Sequence, residues 1–332
     1  MSSEDQPFVS VLTPVYNMER HIGQCIESVL AQTHSNWEYI IVNNCSRDGS
    51  LAIAQEYAAR DPRIRVHDNE TFVGVIQNHN IAFRQISPSS AYCKVVAADD
   101  FLFPDCLEKM VRLAETHPSI AIVGAYQLWG TKVTLDGLPY SRTVIPGREV
   151  CRMQLLGGPY IFGTPTNVLL RADLVRSREA FYHEDNLHAD DEGCVEFLEG
   201  RDFGFVHQIL TFRRAQEGTL TSFSERFNTY SAGLMTLLVR HGQKYLTPRE
   251  LDTRLRDVTR DYYRGLARVF LRGRETGVWE YHQSRMRELG RALSRARLAM
   301  AMVEVTLGVL LNPKAALEKV AARARGQRKT SG

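Results

Sequence analysis

Two hydrophobic periods alternate through the first 125 residues of the chain. Phe8-Val-Ser-Val-Leu-Thr is a short β-rich run that ends at Pro14, and Ile22, Ile26, Val29 and Leu30 then fall on one face at helical spacing, predicting a helix over about 18–32. Glu38-Tyr-Ile-Ile-Val-Asn reads as a second buried strand. Asp48 is placed to cap a helix carrying Leu51, Ile53, Ala54 and Tyr57. Arg63-Ile-Arg-Val-His is a third, alternating strand, and a helix is expected over 75–85. Tyr92-Cys-Lys-Val-Val-Ala is a fourth strand and ends at Asp99-Asp100. Pro104 opens a helix whose buried stripe is Leu107, Met110, Val111 and Ala114, and Ile120-Ala-Ile-Val-Gly is a fifth strand. Strand and helix in strict alternation predict an α/β fold, a mostly parallel sheet covered by helices on both faces.

Beyond residue 130 the pattern changes. Residues 130–220 are richer in Gly and Pro, less periodic, and read as loops and short strands attached to the first unit. From Ser224 onward strand signal gives way to helices, clearest in Tyr230-Ser-Ala-Gly-Leu-Met-Thr-Leu-Leu-Val-Arg. The expected division is a catalytic domain over 1–222, a helical region over 223–326 and a disordered tail over 327–332.

Composition adds one fact the pattern does not carry. The 332 residues are 44% hydrophobic and 24% charged, ordinary for a globular protein, and the net charge of +3 gives no reason to expect nucleic-acid binding. That average hides an asymmetry: residues 291–332 hold nine Lys/Arg and two Asp/Glu, so they carry +7 and the first 290 residues carry −4. The polar N-terminus lacks the form of a signal peptide, and no uninterrupted apolar stretch reaches transmembrane length. The six widely spaced cysteines form no CxxC pair and read as reduced thiols, so a cytoplasmic location is expected.

An α/β sheet binds ligands beyond the carboxyl ends of its strands. Those ends carry neither GxGxxG nor GxxxxGK[ST], which argues against a dehydrogenase or a P-loop enzyme. They carry instead Thr13-Pro-Val-Tyr-Asn17, Asn43-Asn-Cys-Ser-Arg-Asp48 and Ala98-Asp-Asp100. Adjacent carboxylates at a strand end can hold a hard divalent cation, Mg²⁺ or Mn²⁺, which would bridge the phosphates of a nucleotide diphosphate. Tyr16 could stack on a base and an amide carbonyl could accept a base N–H. Taken singly, each feature is more often a turn or a cap.

Together with Ser28-Val-Leu-Ala-Gln-Thr33 and Ser46-Arg-Asp-Gly-Ser50, these motifs resemble an inverting glycosyltransferase of family 2 with the GT-A fold, here followed by an α-helical extension. The resemblance covers about the first 125 residues. It implies a nucleotide-sugar site of Pro14, Tyr16, Asn17, Asn44, Asp99 and Arg213, with Tyr16 against the base, Asp99 on the ribose or the sugar diphosphate, Arg213 near the diphosphate and Asp100 on the metal. It implies a catalytic base in His188-Ala-Asp-Asp-Glu192, with Asp190 the best match and Asp191 the alternative. Asn44 stands where the family usually has an Asp that reads the base edge, which opens the question of base selectivity. The implied partners are a UDP- or dTDP-sugar in preference to a GDP-sugar and a glycan or glycolipid acceptor, in surface polysaccharide or glycolipid synthesis.

Two other readings stay open: a non-catalytic relative that binds nucleotide-sugar or glycan, and a membrane-associated scaffold using the C-terminal helices. The run Leu298-Ala-Met-Ala-Met-Val-Glu-Val-Thr-Leu-Gly-Val-Leu-Leu311 is apolar and is followed by Lys314, Lys319, Arg323, Arg325, Arg328 and Lys329. It reads equally as an attachment to an anionic membrane surface or as a helix packed on the catalytic domain or on a second subunit.

Overall fold

The computed structural model describes residues 6–214, 220–273 and 276–311. The basic residues that follow Leu311 and the expected disorder at 327–332 lie outside that range. The chain divides into two compact units, Met1–Gln216 with Lys244–Leu246, and Glu217–Gln243 with Thr247–Gly332.

The first unit opens with the predicted alternation: β1 (Val9–Val15), α1 (Ile22–Leu30), β2 (Trp37–Asn43), α2 (Ser50–Arg60), β3 (Ile64–Asp68), α3 (Val75–Arg84) and β4 (Tyr92–Val95). A two-residue β5 (Phe101–Leu102), α4 (Cys106–Thr116) and β6 (Ile120–Trp129) follow. β1 pairs in parallel with β2 and β4, and β2 with β3. A strand covered on both faces needs an unbroken apolar run, and six of the seven β1 residues are buried. α1 contributes Ile22, Cys25, Ile26 and Val29 to the core, and α4 contributes Cys106, Leu107, Met110, Val111 and Ala114.

The middle region departs from the loop-rich expectation. It supplies β7 (Lys132–Thr134), β8 (Val144–Pro146), α5 (Gly147–Leu155), β9 (Leu169–Arg171), α6 (Ala172–Arg176), α7 (Ala189–Phe197) and the twelve-residue β10 (Asp202–Arg213). The ten strands form one mixed sheet whose main path runs β3-β2-β1-β4-β9-β6-β10-β5. β9 is antiparallel to both β4 and β6, so β6 runs in the direction of β4, and β10 is parallel to β6. The carboxyl ends of β1, β2, β4, β6 and β10 therefore share one edge.

The second unit is helical among its described residues: α8 (Leu220–Phe227), most of α9 (Thr229–Tyr245), α10 (Pro248–Arg272), α11 (Val278–Glu288) and α12 (Arg295–Leu311). α10 is delimited by its sequence. Thr247 and Glu250 close a capping box, Pro248 takes the first turn, and Gly273 ends the helix at φ 62°. His282 is buried inside the unit, where its Nε2 bonds Phe227 O at 2.7 Å and its Nδ1 lies 2.5 Å from the Tyr262 hydroxyl. Burial lowers its pKa to about 4, which keeps the ring neutral.

Candidate active site

Two loops leave the shared edge side by side and are laced together. Asn17, just past β1, and Cys45, just past β2, both take left-handed backbone at φ 52° and 55°. Asn17 donates its N–H to Ser46 Oγ (3.0 Å) and accepts from Arg47 N–H at Oδ1 (2.8 Å). Met18 N–H reaches Ser50 Oγ (2.7 Å) and Gly49 N–H reaches Glu19 Oε2 (2.8 Å). Asp48 accepts the Ser50 N–H and hydroxyl on one oxygen and the Glu19 N–H on the other, so it steadies the start of α2 and ties it to the β1 loop. Partial burial opposes ionisation of Asp48, but those hydrogen bonds outweigh it and hold its pKa below the usual carboxylate value.

Tyr16 stands at the mouth of these loops, 38% exposed, its ring centroid 4.9 Å from that of the exposed Phe72. Pro14 is half-buried within β1 and pairs with Val42 in register. Asn44 is buried, and the structure gives its amide a use other than meeting a base edge: Nδ2 donates to Val73 O (2.8 Å) while Oδ1 accepts Val73 N–H (2.9 Å) and Asn69 Nδ2–H (3.2 Å). It mimics a paired strand residue and pins the loop that carries Phe72. Asn43 donates to Asp68 Oδ1 at 2.7 Å, and its own Oδ1 is buried without a partner among the described residues, as is Asn69 Oδ1. An Asn44→Asp substitution removes the donor that Val73 O has among the described residues and sets two oxygens against each other, so a loss of about 1–3 kcal/mol is expected, read as a lower melting temperature. An unchanged melting temperature with altered base preference would instead mark Asn44 as a base reader.

The acidic pair lies one strand further along the sheet. Asp99 is half-buried and Asp100 is 4% exposed. Asp100 accepts the Thr166 hydroxyl at Oδ2 (2.7 Å) and the Arg214 backbone N–H at Oδ1 (3.1 Å). Burial, together with the charge of Asp99, pushes its pKa up to about 7. Arg214 adds a bond from Nε to Asp99 O (3.0 Å) and one from Nη2 to Gln24 Oε1 (2.6 Å). Thr166 is itself fixed, since its hydroxyl oxygen accepts Ala97 N–H (3.0 Å). The turn around it is anchored from below by Lys94, a fully buried lysine whose Nζ donates to Thr166 O (2.6 Å) and Val168 O (3.3 Å).

Asp190 and Asp191 occupy the first turn of α7, where free backbone N–H groups favour an anion. They titrate differently. Burial raises Asp190 to about 6, while the backbone N–H groups of Asp191 and Asp190 and the charge of Arg213 act in the opposite sense. A small cavity of about 10 Å³, walled by Phe162, Phe181, Tyr182 and Phe197, touches Asp190 and accounts for the apolar surroundings. Asp191 is pushed well above the usual range by burial and by the charge of Asp190, with only the Tyr160 hydroxyl to counter it. Tyr160 Oη lies 2.6 Å from Gly163 O and 2.9 Å from Asp191 Oδ1. The hydroxyl is the donor to both, sharing its one proton between them, with the shorter contact to Gly163 O.

Two strand-end residues divide roles that the sequence does not separate. Arg214 is tied to the acidic pair, whereas Arg213 lies with its guanidinium 5.2 Å from the Trp129 ring centroid and places its positive charge on both Asp100 and Asp190. That charge favours the ionised form of both acids. Thr166, Lys94 and Phe72 escaped the sequence reading. Of these only Lys94 left a signal, a charged residue inside an otherwise apolar strand. His183, Glu192 and Glu196 also lie close together, but Glu196 bonds Arg178 and His183, and Asn186 donates to Glu192.

Known proteins share this arrangement of strands. The crystal structure of S. aureus TarS 1-349 in complex with UDP superposes with a TM-score of 0.59 over 91% of this chain and 92% of that chain, at 16% identity. The mannosyltransferase PcManGT from Pyrobaculum calidifontis, in complex with GDP-Man and Mn²⁺, gives a TM-score of 0.56 over 96% and 85%, at 14% identity. In sequence, EpsE of Bacillus subtilis (strain 168), which carries a glycosyltransferase name, is 31% identical over 228 residues, 68% of this chain and 78% of that protein. TuaG of the same strain, named for teichuronic acid biosynthesis, is 33% identical over 139 residues, 42% of this chain and 53% of its own length. A family model described as Glycosyl transferase family 2 matches residues 10–178, just over half of the chain. The sheet, the loops at its edge and these likenesses agree that the chain belongs to glycosyl transferase family 2 and is a glycosyltransferase of the GT-A fold.

Proposed function

We propose that this glycosyltransferase moves a sugar from a UDP- or dTDP-sugar to a hydroxyl of a glycan or glycolipid acceptor, with inversion at the anomeric carbon, in the synthesis of a surface polysaccharide or glycolipid. The observation that carries this reading is the acidic pair at a strand end, its buried member Asp100 held by the Thr166 hydroxyl and the Arg214 N–H, together with a second acid of raised pKa, Asp190, in the first turn of α7. The neighbouring folds with UDP and with GDP-Man support a nucleotide-sugar donor, and the names of EpsE and TuaG support a bacterial glycan. The catalytic unit in this reading is the sheet-bearing one.

In this mechanism Tyr16 stacks on the base, backed by Phe72, while Asn44 and Pro14 shape the slot. Asn17 holds the loop beneath it. Asp99 meets the ribose or the sugar diphosphate. Asp100 offers hard oxygen donors, and the high cost of its buried charge beside Asp99 fits a divalent cation, Mg²⁺ or Mn²⁺. Such an ion, when bound, neutralises charge on the diphosphate. Arg213 adds a protein cation for the same purpose. Asp190, ionised and poised near neutral pH, takes the proton from the acceptor hydroxyl as it attacks. Asp191, pushed up by burial and by the charge of Asp190, stays protonated, which leaves one carboxylate charge at the point of attack.

Melting temperature in a panel of UDP-, dTDP-, GDP- and CMP-sugars, with and without Mn²⁺, tests donor and metal together. The expected result is a rise with UDP- or dTDP-sugar that needs Mn²⁺, since a ligand that binds only the native state raises apparent stability. A rise with GDP-sugar alone would overturn the base assignment, and equal rises without metal would overturn the ion.

A further inference from the structure

The second unit carries two features that the chemistry at the sheet edge does not use. The first is a groove of about 510 Å³ between α10 and α12, lined by Arg256, Arg260, Arg291 and Arg297 with Tyr263 and Met300. Arg256 pairs with Asp252, and Arg260 with Asp257 at 3.3 Å. The acid on the α12 side, Glu304, pairs with Arg264. Arg291 and Arg297 have no ion pair among the described residues, so the groove presents two uncompensated guanidinium groups.

The second feature is the end of α12. Only Leu298 and Ala301 of this helix are buried. Met300, Val303, Leu307, Val309, Leu310 and Leu311 are exposed, Leu310 to 68% and Leu311 to 84%. A helix that seats on one protein partner shows a single apolar stripe. Past Glu304, by contrast, Thr306 is the only polar side chain through Leu311, so this end is apolar all round. Those last turns are about 10 Å long at 1.5 Å per residue. That is far short of the about 30 Å core of a bilayer and close to the depth reached by an interfacial helix. Among the described residues no helix is long and apolar enough to cross a membrane.

We propose that α12 enters the surface of an anionic membrane with its apolar end while Arg291 and Arg297 hold lipid phosphate at the α10–α12 groove. Charge complementarity selects this occupant. The free guanidinium groups lie toward the start of α12, and six further Lys/Arg against one Glu follow its end in the sequence, so an apolar plug is flanked by cations on both sides. An apolar insertion and a cluster of cations are the two signals that together give stable attachment.

The test is co-sedimentation of the full chain with vesicles of phosphatidylcholine alone or mixed with phosphatidylglycerol. The expected result is binding to the mixed vesicles only, weakened by salt as the Debye length shortens. A double variant Arg291→Gln with Arg297→Gln should lose about ten-fold in partition, and Leu307→Glu with Leu310→Glu should lose at least as much. All four positions are outside the proposed catalytic residues, and melting temperature verifies that both variants fold. Inorganic phosphate at matched ionic strength should not displace the protein. Equal binding to neutral vesicles, unchanged partition in both variants, or displacement by free phosphate would overturn the proposal. So would a dimer in light scattering that the leucine variant converts to monomer, which would give the apolar end to a second copy.

Discussion

Replacing Asp190 by Asn is expected to lower sugar transfer by about 10²–10⁴-fold while leaving nucleotide-sugar affinity intact. The amide is nearly isosteric and its oxygen still accepts the N–H groups at the start of α7, so the donor site should not be disturbed. Only the ability to take a proton goes. The sign of the stability change separates this from a structural lesion. A carboxyl whose pKa is raised in the fold, here to about 6, binds more protons folded than unfolded between about pH 4 and 6. Its ionisation therefore opposes folding at neutral pH, and the Asn variant should melt no lower than the parent, and higher at pH 7. The parent's kcat/KM should rise with pH through about 6 and then level off, with the same limb absent from the residual activity of the variant. Asp191→Asn should retain most transfer, because Asp191 is neutral in this account. If Asp191→Asn were the inactive protein and Asp190→Asn the active one, the two roles would have to be exchanged.

The second large effect is expected at Asp100. Asp100→Ala should abolish Mn²⁺-dependent binding of a nucleoside diphosphate, measured by titration calorimetry with and without the ion. Asp100 is buried beside Asp99 and is pushed up to about 7 by that burial and that neighbour, so its charge is unfavourable until a cation compensates it. Removing it relieves that charge but leaves the Thr166 hydroxyl and the Arg214 backbone N–H without their acceptor, two opposing effects on the stability of the metal-free protein. The substitution should take away the ion's effect on the nucleotide. Thr166→Val is the informative partner, because it keeps the carboxylate and removes one of its two holders. A weakened but surviving metal effect is expected there. Full metal-dependent binding in Asp100→Ala would remove Asp100 from the ion.

The elements up to β6, apart from the two-residue β5, were legible because parallel strands buried on both faces leave continuous apolar runs, and because α1 and α4 show clear stripes. β10 was not. Its alternation begins at Phe203 and Phe205 but breaks at His207-Gln208, where the ladder to β6 shifts register. Successive strand residues face opposite sides, so no sequence argument separates Arg213 from Arg214 without that register. The acidic pair was visible as adjacent carboxylates at a strand end. Its holders were not, because Thr166 and Arg214 reach Asp100 across 66 and 114 residues of chain. The ordering of Asp190 and Asp191 rests on burial and on the charge of one acting on the other, which arise only once α7 has packed.

Those separations also bear on the order in which the molecule assembles. The Tyr16 loop is joined to the loop after β2, and Asn44 to the loop that carries Phe72, by bonds spanning about 30 residues, so these contacts can form with the first three strands. The carboxylate of Asp100 gains its second holder only when β10 has docked on β6, among the most non-local events in the unit and therefore among the slowest to nucleate. An emerging chain would thus complete its nucleotide slot well before its acidic pair, and a nascent enzyme would hold a donor's base before it could act on the donor's sugar.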